Sequence, residues 1–508
     1  MTKMNKDDWT PLLDDLHQRR TAVHRMGGPD KVARHDAGGR LNARRRIEVL
    51  LDPGSFTEIG TFVGSGTGPG KTPIPADALI AGFGKIDGRP VVVGAEDFTV
   101  KGGSIGLGTY AKRLRLALLA AQERVPLIIL LEGAGERATN WLERYPYAPN
   151  DLQALAELSG KVPTVAAVMG VSAGHGALTA MLMDFVIMVE GSAIFSAGPP
   201  LVEAATGERV TPTQLGGTEV HARISGVVHN IVPTDEEALH LVRRYLSYLP
   251  SNAWSLPPED PPTDGPRLLE GILDLIPPDP RRPYDARRLI EMLADSGTVL
   301  EIQPLYGDSI ITALARLGGR AVAILANQPA VRSGTIDSPA ADKAARFLEL
   351  ADAFHLPVIF LADNPGIMAG TAAERSGALR SAARMYAAQA RIRSPKLHVT
   401  VRKAYGFGSS LMAMNPFDRQ TITLAFPGAT LGAMPAGGGG TAAHADSQTQ
   451  SALAAAEAGG PWAVADTMNY DEIIDPRDLR NVLISALETA ASRYKGTPVE
   501  PRPGGIRP

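Results

Sequence analysis

The sequence predicts an α/β protein built from two copies of one unit in tandem. Residues 112–135 read KRLRLALLAAQERVPLIILLEGAG, and 231 positions later residues 343–366 read KAARFLELADAFHLPVIFLADNPG. The same offset pairs GGSI at 102–105 with SGTI at 333–336. Similarity over this length at a constant offset indicates a duplication.

Helical and apolar patterns alternate within each copy. Residues 112–123 have the spacing of a helix and are followed by the continuous apolar run LIILL. The runs VAAVM at 165–169 and LHVTV at 397–401 each precede a glycine-rich loop. Continuous apolar runs are typical of strands buried on both faces, and strand–helix–strand order predicts right-handed crossovers in mostly parallel sheets.

Proline content sets the predicted boundaries. Ten of the forty prolines lie within residues 250–283, where a fixed φ and a missing N–H favour a linker over a regular element. We predict an N-terminal helical arm at 1–53, a first domain at 54–249, the linker at 250–283, a second domain at 284–493 and a Pro-, Gly- and Arg-rich tail at 494–508, expected to be disordered.

Composition excludes several classes of function. The net charge of −3 gives no electrostatic reason to expect nucleic acid, and the absence of cysteine excludes disulfides and thiolate metal sites. The first fifteen residues have no apolar run of signal-peptide length, and no stretch of about 18 apolar residues occurs. We therefore expect a cytoplasmic protein without a metal centre, membrane span or nucleic-acid partner.

Two short glycine loops are the main candidates for chemistry. The first glycine loop is Gly174-His175-Gly176 and the second is Gly406-Phe407-Gly408, each between a strand and a helix and 232 residues apart. Amide groups at a helix start have no internal partner, so they can bind developing negative charge. The pair predicts two oxyanion holes; the alternative is that the glycines serve only tight packing.

Other motifs leave alternatives open. The segment GVSAG at 170–174 also fits the nucleophile elbow of hydrolases, with Ser172 as nucleophile. His175 is either an acid or base, or contributes only its backbone N–H. The arginines at 44–46 form a solvated helix face or bind a phosphate. Residues 64–72, GSGTGPGKT, resemble a phosphate loop but carry Ser65 where glycine is required, so we interpret them as a mobile loop.

Longer motifs resemble one family across nearly the whole chain. They are ARRRIEVLLDPGSF at 43–56, LGGTEVHARISGVVH at 215–229, ANQPAVRSGTID at 326–337, ARFLELADAF at 345–354, DNPGIMAGTAAE at 363–374 and RKAYG at 402–406. The chain thereby resembles the carboxyltransferase (β) subunits of biotin-dependent acyl-CoA carboxylases, such as propionyl-CoA carboxylase. The resemblance implies two ClpP/crotonase-like domains of spiral ββα type, one per repeat.

The resemblance also implies partners and ligands. It implies a homo-oligomer, usually a hexamer, with active sites where the first half of one subunit meets the second half of another. A biotin carboxylase and a biotin carboxyl carrier subunit would supply carboxybiotin in trans, and the acyl group would arrive as a coenzyme A thioester. The chain has no Met-Lys-Met biotinylation motif of its own.

The resemblance assigns roles to particular residues. Catalytic backbone donors are expected at Gly174, His175, Phe407 and Gly408. Substrate or coenzyme A binding is expected at Gly102, Gly103, Ala134, Gly135, Arg137, Ala173 and Ser410, and Ser410 stands where the acyl chain is selected. His175 and Phe407 replace glycines of the family pattern, and AMPAGGGGTAA at 433–443 replaces another family segment.

Three functions are compatible with these features. The first is carboxyl transfer from carboxybiotin to the α-carbon of an acyl-CoA. The second is a biotin-independent lyase or hydrolase, such as a decarboxylase, acting on an acyl-CoA or related carbonyl compound, which the crowded loops motivate. The third is a non-catalytic paralogue that assembles with an active one.

Overall fold

The computed structural model describes residues 9–66, 72–143, 150–262, 264–415 and 417–508. Most of the phosphate-loop-like segment, residues 67–71, therefore lies outside the described residues. The chain divides into two compact units, the first reaching Leu246 and the second spanning Ser247–Arg507. Among the described residues, no helix combines the length and the apolar run needed to cross a bilayer.

The first unit contains an eight-stranded sheet with helices around it. Its strands are β1 (Thr57–Glu58), β2 (Leu79–Ile86), β3 (Arg89–Glu96), β4 (Leu127–Gly133), β5 (Thr164–Ala173), β6 (Phe185–Val189), β7 (Ala193–Phe195) and β8 (Asn230–Val232). Its helices are α1 (Thr10–His24), α2 (Pro29–Asp36), α3 (Ala43–Leu50), α4 (Leu107–Glu123), α5 (Asn140–Glu143), α6 (Asp151–Leu158), α7 (His175–Met181), α8 (Pro199–Thr206), α9 (Pro212–Gly216) and α10 (Asp235–Ser247).

The second unit contains another eight-stranded sheet. Its strands are β9 (Leu300–Ile302), β10 (Ile310–Leu317), β11 (Arg320–Asn327), β12 (Val358–Asn364), β13 (Lys396–Tyr405), β14 (Gln420–Ala425), β15 (Thr430–Gly432) and β16 (Glu472–Ile473). Its helices are α11 (Ile272–Leu275), α12 (Ala286–Leu293), α13 (Ser338–Ala353), α14 (Thr371–Arg375), α15 (Ala378–Ala390), α16 (Gly406–Leu411), α17 (Ala436–Ala442), α18 (Ser447–Ala458), α19 (Trp462–Ala465) and α20 (Leu479–Ala491).

The two sheets have the same topology. The first runs β1-β2-β3-β4-β5-β6-β8 with β7 beside β5, and the second runs β9-β10-β11-β12-β13-β14-β16 with β15 beside β13. In each, the first two pairings are antiparallel and the rest are parallel. The prediction of a duplicated, mostly parallel α/β unit is confirmed.

Matched buried lysines carry the duplication into the packing. Lys112 on α4 donates from Nζ to the carbonyl oxygen of Ala76 at 3.0 Å, and its counterpart Lys343 on α13 donates to that of Gln303 at 3.3 Å. Burial lowers the pKa of Lys112 to about 8 and that of Lys343 to about 7. Each lysine thus supplies a buried donor at the same position of the repeated helix.

Two predicted connecting segments make tertiary contacts. In the proline-rich stretch 250–283, Leu269, Ile272 and Leu275 are buried in the core of the second unit. The tail, expected to be disordered, instead contacts α13: Arg502 Nε lies 3.6 Å from Asp352 Oδ2, and the N–H of Arg507 donates to Glu349 Oε2 at 3.0 Å. Buried carboxylates on α13 attract the tail arginines, which composition alone does not show.

Candidate active site

The two glycine loops have the same backbone shape. β5 ends at Ala173, Gly174 takes φ 56°, and α7 begins at His175. β13 ends at Tyr405, and Gly406 takes φ 53° at the start of α16. Glycine adopts a positive φ at little cost because it has no Cβ. The loops therefore turn from strand to helix in the same way in both units.

Hydrogen bonding distinguishes the amides of the first glycine loop. The N–H of Gly174 donates to the carbonyl oxygen of Phe195 at 3.0 Å, so it is already engaged. His175 is the first helical residue, and N–H groups in a first turn have no partner within their helix. Of the two predicted donors in this loop, the geometry therefore favours the N–H of His175.

The predicted substrate-binding glycines and alanines come together around this loop. The N–H of Ala134 donates to the carbonyl oxygen of Gly102 at 2.9 Å. A Cβ added at Gly135 would lie 3.0 Å from the carbonyl oxygen of Ala173, and one at Gly103 would lie 2.2 Å from that of Glu132. Small residues are thus required here for close backbone approach, which places these segments beside the first glycine loop.

Two other predicted binding residues have different surroundings. Arg137 pairs through Nη1 with Asp77 Oδ1 at 2.5 Å and donates through Nε to Ser104 Oγ at 3.2 Å. Its side chain is only 12% exposed, so its fork holds the loop together. Ser410 is half-buried on α16, and its carbonyl oxygen accepts from the N–H of Ala413 at 3.1 Å.

The side chain of His175 has a carboxylate partner. Its Nε2 lies 2.7 Å from Oδ1 of Asp151, the first residue of α6, and the ring meets that of Tyr110 edge-on with centroids 4.9 Å apart. Asp151 is fully buried and the imidazole is 12% exposed. Sequence reasoning missed Asp151 because it lies 24 residues before His175, with no motif joining them.

The partner of His175 belongs to a larger charged cluster. Arg113 Nη1 lies 3.8 Å from Asp151 Oδ2 and donates to Thr179 Oγ1 at 3.2 Å, while its Nη2 pairs with Glu96. All of these groups are buried in the first unit. Burial raises the pKa of Glu96, despite the neighbouring Arg113. We call Glu96, Arg113, Asp151 and His175 the charged relay.

The second glycine loop is built differently. Phe407 is 75% exposed, whereas Gly408 is buried against Asn364: a Cβ on Gly408 would lie 2.0 Å from Asn364 Oδ1. That oxygen accepts from the N–H of Gly366 at 3.1 Å, and Asn364 Nδ2 donates to Asn327 Oδ1 at 3.0 Å. The asparagine pair therefore fixes the floor of the second loop, and the sequence carried no signal for it.

Ion pairs and a tyrosine hold the strand that leads into this loop. Arg402 Nε lies 2.7 Å from Asp363 Oδ2, and both side chains are buried. Tyr405 donates from its hydroxyl to Glu457 Oε1 at 2.7 Å, and Glu457 Oε2 accepts from the N–H of Ala436 at 2.5 Å. Burial raises the pKa of Tyr405 to about 12, so it stays a donor. Glu457 thus ties the glycine-rich segment 436–440 to the second loop.

The structure gives no support to Ser172 as a nucleophile. Its side chain is fully buried, and its Oγ has no hydrogen-bond partner among the described residues. The nearby imidazole of His175 is occupied by Asp151 instead. A nucleophile needs a base within hydrogen-bond reach and access to a carbonyl carbon, and Ser172 has neither.

The expected roles of the arginines at 44–46 are wrong for Arg46. Arg46 is fully buried, with Nη1 2.6 Å from Glu132 Oε2 and Nε 2.9 Å from Asp235 Oδ2. Arg44 pairs with Glu58 at 2.9 Å, and only Arg45 has a largely exposed side chain. Helical periodicity turns the third arginine toward two buried carboxylates, so Arg46 has a structural role rather than a solvated or ligand-facing one.

A basic cleft lies next to the predicted coenzyme A segment. It has a volume of about 380 Å³ and is lined by Lys31, Arg34, His35, Phe98, Thr99, Lys101 and Gly102. The two lysines and Arg34 are exposed, and Phe98 is 42% exposed. Lys and Arg bind phosphate, and an exposed aromatic ring offers a stacking surface. We call these residues the basic cleft.

Comparisons with known proteins agree with this architecture. The carboxyl transferase domain model matches residues 34–502. A propionyl-CoA carboxylase carboxyltransferase subunit of Haloferax mediterranei is 34% identical, covering 96% of this chain and 97% of that protein. A methylmalonyl-CoA carboxyltransferase 12S subunit of Propionibacterium freudenreichii is 34% identical, covering 96% of each. A methylmalonyl-CoA decarboxylase subunit alpha of Veillonella parvula is 33% identical, covering 95% and 96%.

Solved structures match over the whole fold. The transcarboxylase 12S crystal structure, described as a hexamer with methylmalonyl-coenzyme A bound, has a TM-score of 0.90 and 32% identity, covering 98% of this chain and 99% of that one. A single-chain, multi-domain long-chain acyl-CoA carboxylase has a TM-score of 0.82 and 32% identity, covering 95% of this chain and 49% of that one.

These matches define the class as a duplicated crotonase-like α/β protein, which confirms the predicted fold. The chain belongs to the carboxyl transferase domain family. The family inferred from its motifs is thereby confirmed.

Proposed function

We propose that the protein transfers a carboxyl group from carboxybiotin, carried by a partner subunit, to the α-carbon of an acyl-CoA. The observation that carries this is the matched pair of glycine loops, with φ of 56° and 53° at equivalent positions. Carboxyl transfer develops negative charge on two oxygens, that of the thioester enolate and that of the biotin ureido group. Two loops of the same shape supply one set of backbone donors for each.

The residues divide between the two ligands. Gly174 and His175 hold the thioester oxygen, with Gly102, Gly103, Ala134, Gly135 and Ala173 forming the surrounding wall. Phe407 and Gly408 hold the ureido oxygen, and Ser410 faces the acyl chain. One preorganised donor lowers a barrier of this kind by about 2.7–4 kcal/mol. Arg137 acts indirectly, by keeping its loop in place.

The chemistry assigned to biotin needs no metal ligand from this chain. Among the described residues, no group of three or more His, Asp or Glu side chains is placed to hold a metal ion. The backbone amides of the two loops instead face the places where negative charge appears. The biotin would act as the carrier of the carboxyl group.

The direct test measures carboxyl transfer in the reverse direction. Purified protein is incubated with methylmalonyl-CoA, and propionyl-CoA is quantified with and without added free biotin. We expect formation that depends on biotin. Biotin-independent formation would favour the second candidate, a lyase, for which the contact between His175 and Asp151 is the specific observation. We also propose a homo-oligomer, expected to be a hexamer, which sedimentation velocity on the same sample measures.

The basic cleft is proposed to bind the phosphates and adenine of coenzyme A. Reversing one charge with Arg34→Glu should raise KM for an acyl-CoA by about ten-fold, because a hydrogen bond to a charged group contributes about 1.5–3 kcal/mol. The value of kcat should change little, since this contact is the same in ground and transition states.

A truncated substrate provides the control. The corresponding pantetheine thioester lacks the nucleotide, so Arg34→Glu should leave its KM unchanged. Lys85→Glu, an exposed charge reversal outside the cleft, should behave like the wild type with both substrates. Equal effects of Arg34→Glu on both thioesters would contradict the assignment.

A further inference from the structure

The charged relay is present in only one of the two repeats. At an offset of 231, Glu96 corresponds to Asn327 and Arg113 to Ala344, while His175 corresponds to Phe407 at 232. Asp151 corresponds to Ala382 or Ala383, depending on which of the two offsets applies. The glycine turns have kept one shape, yet only the first loop carries an ionisable side chain with a buried acidic partner.

The hydrogen bonds determine which ring nitrogen is free. The carboxylate of Asp151 can only accept, so the proton on the ring is on Nε2, which lies 2.7 Å away. In the neutral ring Nδ1 is then the lone-pair nitrogen, and it makes no hydrogen bond within the described part of the chain. The edge of Tyr110 against the ring restricts its orientation. Nδ1 is thus a positioned base.

The charges around the ring favour its protonated form. Asp151 faces it from α6, and Tyr110 faces it from α4 as a neutral ring. Arg113 stands behind Asp151 at 3.8 Å and is itself paired with Glu96 from β3. Because Glu96 offsets Arg113, Asp151 remains available to balance an imidazolium.

We propose that His175 removes the α-proton of the acyl-CoA whose carbonyl oxygen lies against the first glycine loop. The Cα–H bond breaks, the proton moves to Nδ1, and the electron pair forms the C=C bond of the enolate as the carbonyl π pair moves to oxygen. The same residue thus offers its backbone N–H to the oxygen and its side chain to the α-carbon. Asp151 is a positioning residue that balances the imidazolium.

This inference rests on the proposed function for the place of the thioester, and it extends that function in one respect. Enolisation by His175 needs no carboxybiotin, so the protein should exchange the α-hydrogens of an acyl-CoA with solvent on its own. In D₂O, the imidazolium formed on His175 exchanges its proton for a deuteron and returns it to the α-carbon. No oxidant, reductant or further reactant is required.

The experiment follows this exchange by mass spectrometry. Propionyl-CoA is incubated with the purified protein in D₂O, without biotin, and deuterium at the α-carbon is measured over a range of pH. Wild-type exchange should rise with pH as the imidazole loses its proton and then level off. His175→Gln, which keeps a donor for Asp151, should slow exchange at least about 100-fold and remove this pH limb.

Two further variants separate chemistry from structure. Asp151→Asn should slow exchange and move the limb to lower pH, because the imidazolium loses its counter-charge. His240→Gln, an exposed histidine on α10, should match the wild type in rate and pH profile. An unshifted limb in Asp151→Asn would show that Asp151 has only a structural role and would overturn its assignment.

The outcomes also separate this inference from the proposed function. Absence of exchange in the wild type, or exchange unchanged in His175→Gln, overturns the role of His175 while biotin-dependent carboxyl transfer can still be observed. Exchange that depends on His175 in a protein that shows no carboxyl transfer with biotin supports the inference and contradicts the proposed function.

Discussion

Gly408→Ala is expected to lower kcat for carboxyl transfer by about 10²–10³, the loss that follows removal of one oxyanion donor. The added Cβ would lie 2.0 Å from Asn364 Oδ1 and 2.8 Å from the Cα of Gly366, so the second glycine loop must move. Asn364 cannot move aside freely, because it is bonded to the N–H of Gly366 and to Asn327. The measurement is steady-state transfer with free biotin.

A second glycine in the same unit serves as the control. A Cβ on Gly428 would meet no heavy atom within 4 Å, and its φ lies outside the positive range. Gly428→Ala should therefore keep wild-type kcat, and circular dichroism should show that both variants are folded. Wild-type turnover in Gly408→Ala would remove the second loop from the mechanism.

Arg46→Met is expected to destabilise the protein by about 3–5 kcal/mol, the usual cost of removing one partner from a buried ion pair. The change leaves Glu132 and Asp235, each 1% exposed, without their shared cation. Arg40 and His35 still contact Glu132 at 3.0 Å, so its charge keeps partial compensation. The shift of the urea midpoint measures the effect.

The pH dependence of this loss has a definite sign. Burial alone would raise the pKa of Glu132, but the hydrogen bond from His35 and the charge of Arg46 lower it to about 2. A carboxyl whose pKa is lower in the folded state stabilises that state above its unfolded value, about 4.3, and loses this contribution as pH falls toward 2. The difference between Arg46→Met and wild type should therefore be larger at pH 7 than at pH 3.

The neighbouring arginine provides a matched control. Arg45 pairs with Glu48 on the surface of α3, and its side chain is 60% exposed. Exposed ion pairs contribute about 0–1 kcal/mol, so Arg45→Met should change stability by less than 1 kcal/mol. If the two methionine variants unfolded at the same urea concentration, the buried cluster would not have the proposed weight.

The repeat and the loops were predictable from sequence because their signals are local. Apolar runs such as LIILL predict buried strands, and a glycine between strand and helix predicts a tight turn wherever it stands. Repetition at one offset then implies a repeated topology, which the two sheets have. The motifs that indicated the carboxyltransferase family are also contiguous in the chain.

Tertiary structure alone decided which side chains meet. The contact of His175 with Asp151, the floor that Asn364 makes under Gly408 and the burial of Arg46 each join residues separated by 24 to 189 positions. Such contacts depend on how crossover helices and strand registers bring distant segments together, which no local pattern encodes. The same chain therefore states through local patterns that it has two equivalent loops, while only folding makes one of them ionisable and the other apolar.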